Sequence, residues 1–108
     1  MKKKYKKVYS LAHQAGYRNY TVRDLLNLKG RKKLRQINAI TPNEAAAAEL
    51  ADIDLLITGT DRLKEIREAA PNTFLTCGIK YTEHESKESI ARKCFELIEL
   101  GIDSIHTN

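Results

Sequence analysis

His106 stands near the end of a β-branched run, Ile102-Asp103-Ser104-Ile105-His106-Thr107. An imidazole titrates near neutrality. At a strand end it can act as a general acid or base, or hold a substrate anion. The plainer reading is a polar strand-end residue without a role. Thr60 and Asp61 follow a second apolar run and precede a helical pattern. They read as caps for the free N–H groups of that helix. Lys80, Tyr81 and His84 fall in the loop after a third run, where they are either substrate contacts or solvated loop residues. Asn38 is polar at the centre of a strand-like run, either hydrogen-bonded inside or placed at a rim. Cys77 closes a strand with no histidine near it in sequence, which suits a small apolar residue better than a nucleophile. Cys94 lies on an apolar helix face. The two cysteines lack CxxC spacing and, with three scattered His, make no zinc site.

The elements that must position these residues alternate in type. Leu34 to Ile40 is a short strand-like run. Thr41-Pro42-Asn43-Glu44 then opens a helix, with Thr41 as N-cap, Pro42 at the first helical position and Glu44 at the third. Ile53 to Thr58 is almost continuously apolar and ends at Gly59, the pattern of a strand in a parallel sheet. Asp61 to Ala70 has Leu63, Ile66 and Ala70 at helical spacing and stops at Pro71. Thr73 to Cys77 is a third strand. The segment 84–100 places Ile90, Ala91, Cys94, Leu97 and Ile98 on one helical face, with Gly101 as its stop. The spacing predicts parallel strands at 34–40, 53–58, 73–77 and 102–107, and helices at 21–29, 42–51, 61–70 and 84–100. Such alternation implies right-handed crossovers. The recurrence of Ile-Asp at 53–54 and 102–103, each just before a strand, is grammar common in (βα)8 barrels. Four strands are half of such a barrel, and an open doubly wound sheet is the competing architecture. No GxGxxG or GxxxxGK[ST] loop supports a nucleotide site.

Charge divides the chain. Residues 1–36 hold twelve Lys/Arg and one acid, and the remainder holds seven bases and thirteen acids, for a net charge of +5. The reading is a basic arm over 1–19, irregular or a detached helix, ahead of a partial barrel domain over 20–108. The arm carries tyrosines but no nucleic-acid motif, so a solvated tail is preferred to a nucleic-acid contact. At 12.3 kDa and 42% hydrophobic, the chain suits one globular domain. No run approaches the ~18 apolar residues that span a bilayer. The basic start has no apolar segment behind it, so it does not read as a secretory signal, and a cytoplasmic setting with reduced thiols is expected. The open edges of strands one and four carry no Pro and no inward charge cluster. They predict a homo-oligomer or part of a longer chain rather than a well-behaved monomer.

The order of these pieces resembles the N-terminal half of ketopantoate hydroxymethyltransferase, in the phosphoenolpyruvate mutase/isocitrate lyase group of barrels. The residues that carry the resemblance are 20–30 (Tyr-Thr-Val-Arg-Asp-Leu-Leu-Asn-Leu-Lys-Gly), the first strand with its Ala-rich helix, 53–59, 70–75 and 101–105. Between Asp61 and Glu68 the family carries a much longer segment. The resemblance implies a (βα)8 fold and an aldol-type transfer. In that reaction a hydroxymethyl group passes from methylenetetrahydrofolate to 3-methyl-2-oxobutanoate, in pantothenate synthesis, with Mg²⁺ held by carboxylates at the strand C-termini. It also implies where function would sit. The family's Gly-Asp-Ser is Gly59-Thr60-Asp61 here, which makes Thr60 and Asp61 substrate-binding candidates. Its Ala-Asp-Leu-Pro-Phe is Cys77-Gly78-Ile79-Lys80-Tyr81. Its Lys-Leu-Glu is His106-Thr107-Asn108, which makes His106 a catalytic candidate and Asn108 a substrate-binding one. All three acidic positions are replaced, so no metal ligand is expected, and the cofactor is left unassigned. The expectation is a divergent relative acting on a small 2-oxo acid; the alternatives are a non-catalytic descendant of the fold or a basic nucleic-acid-associated protein.

Overall fold

The computed structural model describes residues 5–11 and 13–107. A hairpin, β1 (Lys6–Tyr9) and β2 (Ala15–Arg18), leads into α1 (Val22–Leu28). Then β3 (Gln36–Asn38), α2 (Pro42–Leu50), β4 (Leu55–Thr58), α3 (Leu63–Ala69), β5 (Phe74–Ile79), α4 (Lys87–Glu99) and β6 (Ser104–Thr107) follow. A single 3₁₀ turn, Tyr81–Glu83, joins β5 to α4. The strands β3-β4-β5-β6 lie in that order and are parallel throughout, as the alternation predicts. The order never reverses. Right-handed crossovers stepping one way keep the crossover helices α2, α3 and α4 on one face, whereas a doubly wound sheet needs a reversal.

The local signals explain the element ends. Thr41 and Glu44 form a capping box: the Thr41 Oγ1 accepts from the Glu44 N–H at 3.2 Å, and Glu44 accepts from the Thr41 N–H at 2.9 Å. Thr21 and Asp24 do the same for α1. Gly101 follows α4 with φ +99°, a conformation that disfavours any side chain. Helix α4 starts three residues later than predicted, because the Ser86 Oγ accepts from the Ser89 N–H and fixes the start. Ala91, expected on its buried face, is exposed.

The core lies between sheet and helices. Leu56, Leu75, Cys77 and Ile79 pack with Ala45 and Ala48 of α2, Leu63 and Ile66 of α3, and Leu97 of α4. Truncating a fully buried leucine such as Leu56 or Leu75 to Ala would cost about 2–5 kcal/mol. Side chains alternate along a strand and are level across a parallel register. The opposite face therefore holds Gln36-Leu55-Phe74 in one row and Asn38-Ile57-Thr76-Ser104 in the next. No helix residue of the core cluster belongs to that face.

The arm departs from expectation. Within the described residues, 6–18 form an antiparallel hairpin with Lys6 opposite Arg18 and Tyr9 opposite Ala15. Its signal was hidden because Lys-Lys-Val-Tyr and Ala-Gly-Tyr-Arg have little β-alternation, and the turn relies on His13 at φ 61° rather than on glycine. Its end is anchored in the domain. Arg18 Nε donates to both Asp103 carboxylate oxygens at 2.9 Å, and its other nitrogens donate to the Pro71 and Gly101 carbonyls. Arg67 donates to the same carboxylate at 3.1 Å and to the Ala70 and Thr73 carbonyls. Burial and the neighbouring Arg18 cation push the Arg67 guanidinium down to about 10, so it remains charged at neutral pH. Asn19, the neighbour of Arg18, bridges strands, donating to the Asp54 carbonyl and accepting from the Phe74 N–H.

Candidate functional site

A glycine stands at the C-terminal end of each central strand: Gly59 just after β4, and Gly78 one residue before the end of β5. Side chains from the loops that follow stand around the space these glycines leave. A cleft of about 470 Å³ is lined there by Thr60 and Asp61 after β4, by Lys80, Glu83 and His84 after β5, and by Lys93 from α4. Hollows beside it extend the rim to Asn38 at the end of β3.

The two residues expected to cap the next helix do not do so. The N-cap of α3 is Arg62, with no side-chain cap bond, and its guanidinium instead holds Glu65 at 2.9 Å. Thr60 and Asp61 thus face the cleft rather than the helix. On the other wall, the His84 Nδ1 lies 3.0 Å from the Ser89 Oγ on the first turn of α4, which fixes the ring. Lys93 sits 3.5 Å from Glu96 on its own helix. The lining combines two ammonium groups, two carboxylates and an imidazole. Ammonium groups can hold a substrate carboxylate as point charges. A carboxylate and an imidazole at the same site supply acid–base capacity.

The predicted site residues divide. Thr60 and Asp61 line the cleft. His106 does not: it is exposed on β6, level with Gly78, one strand beyond the cleft wall. Asn108 lies outside the described residues. The imidazole that lines the cleft is His84, for which the sequence allows either a substrate contact or a solvated loop residue. Its helical partner Ser89, five residues on, was the available signal. Lys93 was missed because it lies on the charged side of α4, and only the fold of the preceding turn brings it over the rim. Asn38 is a rim residue and not an interior one. Cys77 is fully buried, and burial raises its thiol to about 11 despite the Lys93 cation, so it packs and does not attack.

The donor set does not fit Mg²⁺. Among the described residues no three His, Cys, Asp or Glu side chains converge as a metal would need, and two lysine ammonium groups share the cleft with its two carboxylates. The lining also lacks the apolar surface a folate ring would need, Ile79 being its one large apolar residue. No helix among the described residues is long and apolar enough to cross a membrane. No family model, curated protein or solved structure matches this chain.

Proposed function

We propose that this chain binds a small 2-oxo acid at the C-terminal rim of its parallel sheet, as a divergent relative of ketopantoate hydroxymethyltransferase whose metal-dependent step is gone. In this reading the sheet is half of a (βα)8 barrel. The observation that carries the reading is the placement of Thr60 and Asp61. They correspond to the family's rim positions, they do not cap α3, and they share a cleft with Lys80, His84 and Lys93. The singly wound strand order supports the barrel half of the proposal.

The roles follow from the chemistry of the lining. Lys80 and Lys93 hold the carboxylate. The Thr60 hydroxyl donates to the 2-oxo group. His84, oriented by Ser89, and Asp61 are the groups able to take up or return a proton at the carbon next to that carbonyl. No step through Mg²⁺ or a folate is part of the proposal. Calorimetric titration with 3-methyl-2-oxobutanoate tests it. Saturable binding is expected, weakened at least tenfold in Lys80→Ala. Equal binding of a neutral ketone of the same size would refute the carboxylate clamp.

A further inference from the structure

The sheet ends on two strands whose outer edges are unpaired among the described residues, and the hydrogen-bond pattern shows which groups are exposed there. Leu55 donates to the Arg35 carbonyl and Ala39 donates to the Ile57 carbonyl. Alternate residues of a strand bond to one side in a parallel ladder, so the odd residues of β3 face β4. The N–H and C=O groups of Gln36 and Asn38 therefore point outward. At the other edge Asp103 donates to the Leu75 carbonyl, so the outward groups of β6 belong to Ser104 and His106. Neither edge carries a Pro, a Lys or an acid at these four positions, which are the usual protections.

The charges beside the edges are opposite and lie at the same end. The segment 29–35, which enters β3, holds five bases and no acid. The last turn of α4, which leads into β6, holds Glu96 and Glu99. Both flank the N-terminal ends of their strands. We infer that two copies of this chain pair β3 of one against β6 of the other, in parallel, at two equivalent junctions. Eight strands then close a ring, with the faces opposite α2, α3 and α4 turned inward. This arrangement uses both open edges of each copy, whereas pairing β3 with β3 would leave two edges bare. It also sets the basic entry of one copy against the acidic helix end of the other. At the rim, the C-terminal end of the second copy's β3 comes beside that of β6. The partner copy thus completes the wall that a single chain leaves open beyond Gly78. The effect on the site rests on the rim reading above, but the pairing itself rests on the edges alone.

Sedimentation equilibrium of the 108-residue chain across micromolar concentrations tests the ring. The expected mass is twice 12.3 kDa. Gln36→Pro, which removes an outward donor and no ladder bond, is expected to give a folded monomer with an unchanged circular dichroism spectrum. Glu96→Lys with Glu99→Lys is expected to weaken the dimer at least tenfold, and adding Lys29→Glu with Lys33→Glu in the same chain to restore it. A wild-type monomer that melts cooperatively would overturn the inference. So would an open polymer, or a dimer indifferent to both sets of changes. Titration of the wild-type protein with 3-methyl-2-oxobutanoate reads the rim separately. A dimer that binds no 2-oxo acid keeps the ring and refutes the rim, and a monomer that binds one does the reverse.

Discussion

Asp54 and Asp103 make the same bond in the two halves of the sheet. Each lies just before a strand, and each accepts an N–H at the start of the neighbouring strand: Asp54 from Arg35, the residue before β3, at 2.9 Å, and Asp103 from Leu75, the second residue of β5, at 2.9 Å. Each is also held by residues from the N-terminal third, Asp54 by the Tyr20 hydroxyl at 3.0 Å and Asp103 by Arg18. The Ile-Asp repeat is therefore a register device. It pins β3 to β4 and β5 to β6 at the end away from the rim, and so sets which residues reach the rim.

The Asp103 cluster predicts a large stability loss from one substitution. Its carboxylate is shared by two buried guanidinium groups. Replacing Asp103 by Ala leaves both cations unpaired, which costs about 3–5 kcal/mol. Urea unfolding followed by circular dichroism reads this as a lower midpoint. A loss under about 1 kcal/mol would contradict the geometry, since an exposed pair is worth no more than that.

Asp54 predicts an acid limit. Burial alone would raise its carboxyl above the usual 3.8, but bonds from the Arg35 N–H and Tyr20 hydroxyl, with the Lys32 and Arg35 cations nearby, outweigh burial and hold it lower. A depressed folded value stabilises the native state above 3.8 and is lost as pH falls through the folded value. Stability should decline below about pH 4, and Asp54→Asn should be less stable at neutral pH while showing a shallower acid decline. An unchanged slope in the variant would show that other carboxylates control acid unfolding.

Cys77 predicts protection. It is fully buried with its thiol raised to about 11, whereas Cys94 is half-buried. Iodoacetamide at mildly alkaline pH should modify Cys94 first and Cys77 only as the protein unfolds. Peptide mass mapping distinguishes the two, and equal rates would place Cys77 wrongly in the core.

The rim donors predict indifference to magnesium. Any ligand that binds only the native state raises its melting temperature by mass action. Millimolar Mg²⁺ should leave the Tm where it is, and the protein should transfer no hydroxymethyl group from methylenetetrahydrofolate. A rise of several degrees would mean that the rim carboxylates converge on a cation after all.

Much of the fold could be read from periodicity and caps. The run Ile53 to Thr58, the Thr41-Pro42-Glu44 start and the Gly101 stop are local signals, and the parallel sheet follows from their alternation. The hairpin could not be read this way. Its strands are held by an arginine whose partner, Asp103, lies 85 residues on. The cleft was half legible. Thr60 and Asp61 were found by their place after a strand, but His84 and Lys93 enter it through the 3₁₀ turn and the pitch of α4, which no local pattern specifies. His106 had the right chemistry on a neighbouring strand. Alternation puts it level with Gly78 on the open face, outside the cleft that the loops build.

The most direct test of the rim reading is a ¹H–¹⁵N correlation spectrum of the full chain titrated with 3-methyl-2-oxobutanoate. Binding with a Kd on the order of 1 mM or tighter is expected. Amide shifts should be confined to Gly59, Thr60, Asp61, Gly78, Lys80, His84 and Lys93, and absent near Arg18 and Gly101 at the opposite end of the sheet. Shifts centred on the hairpin end, or none at saturating ligand, would contradict it.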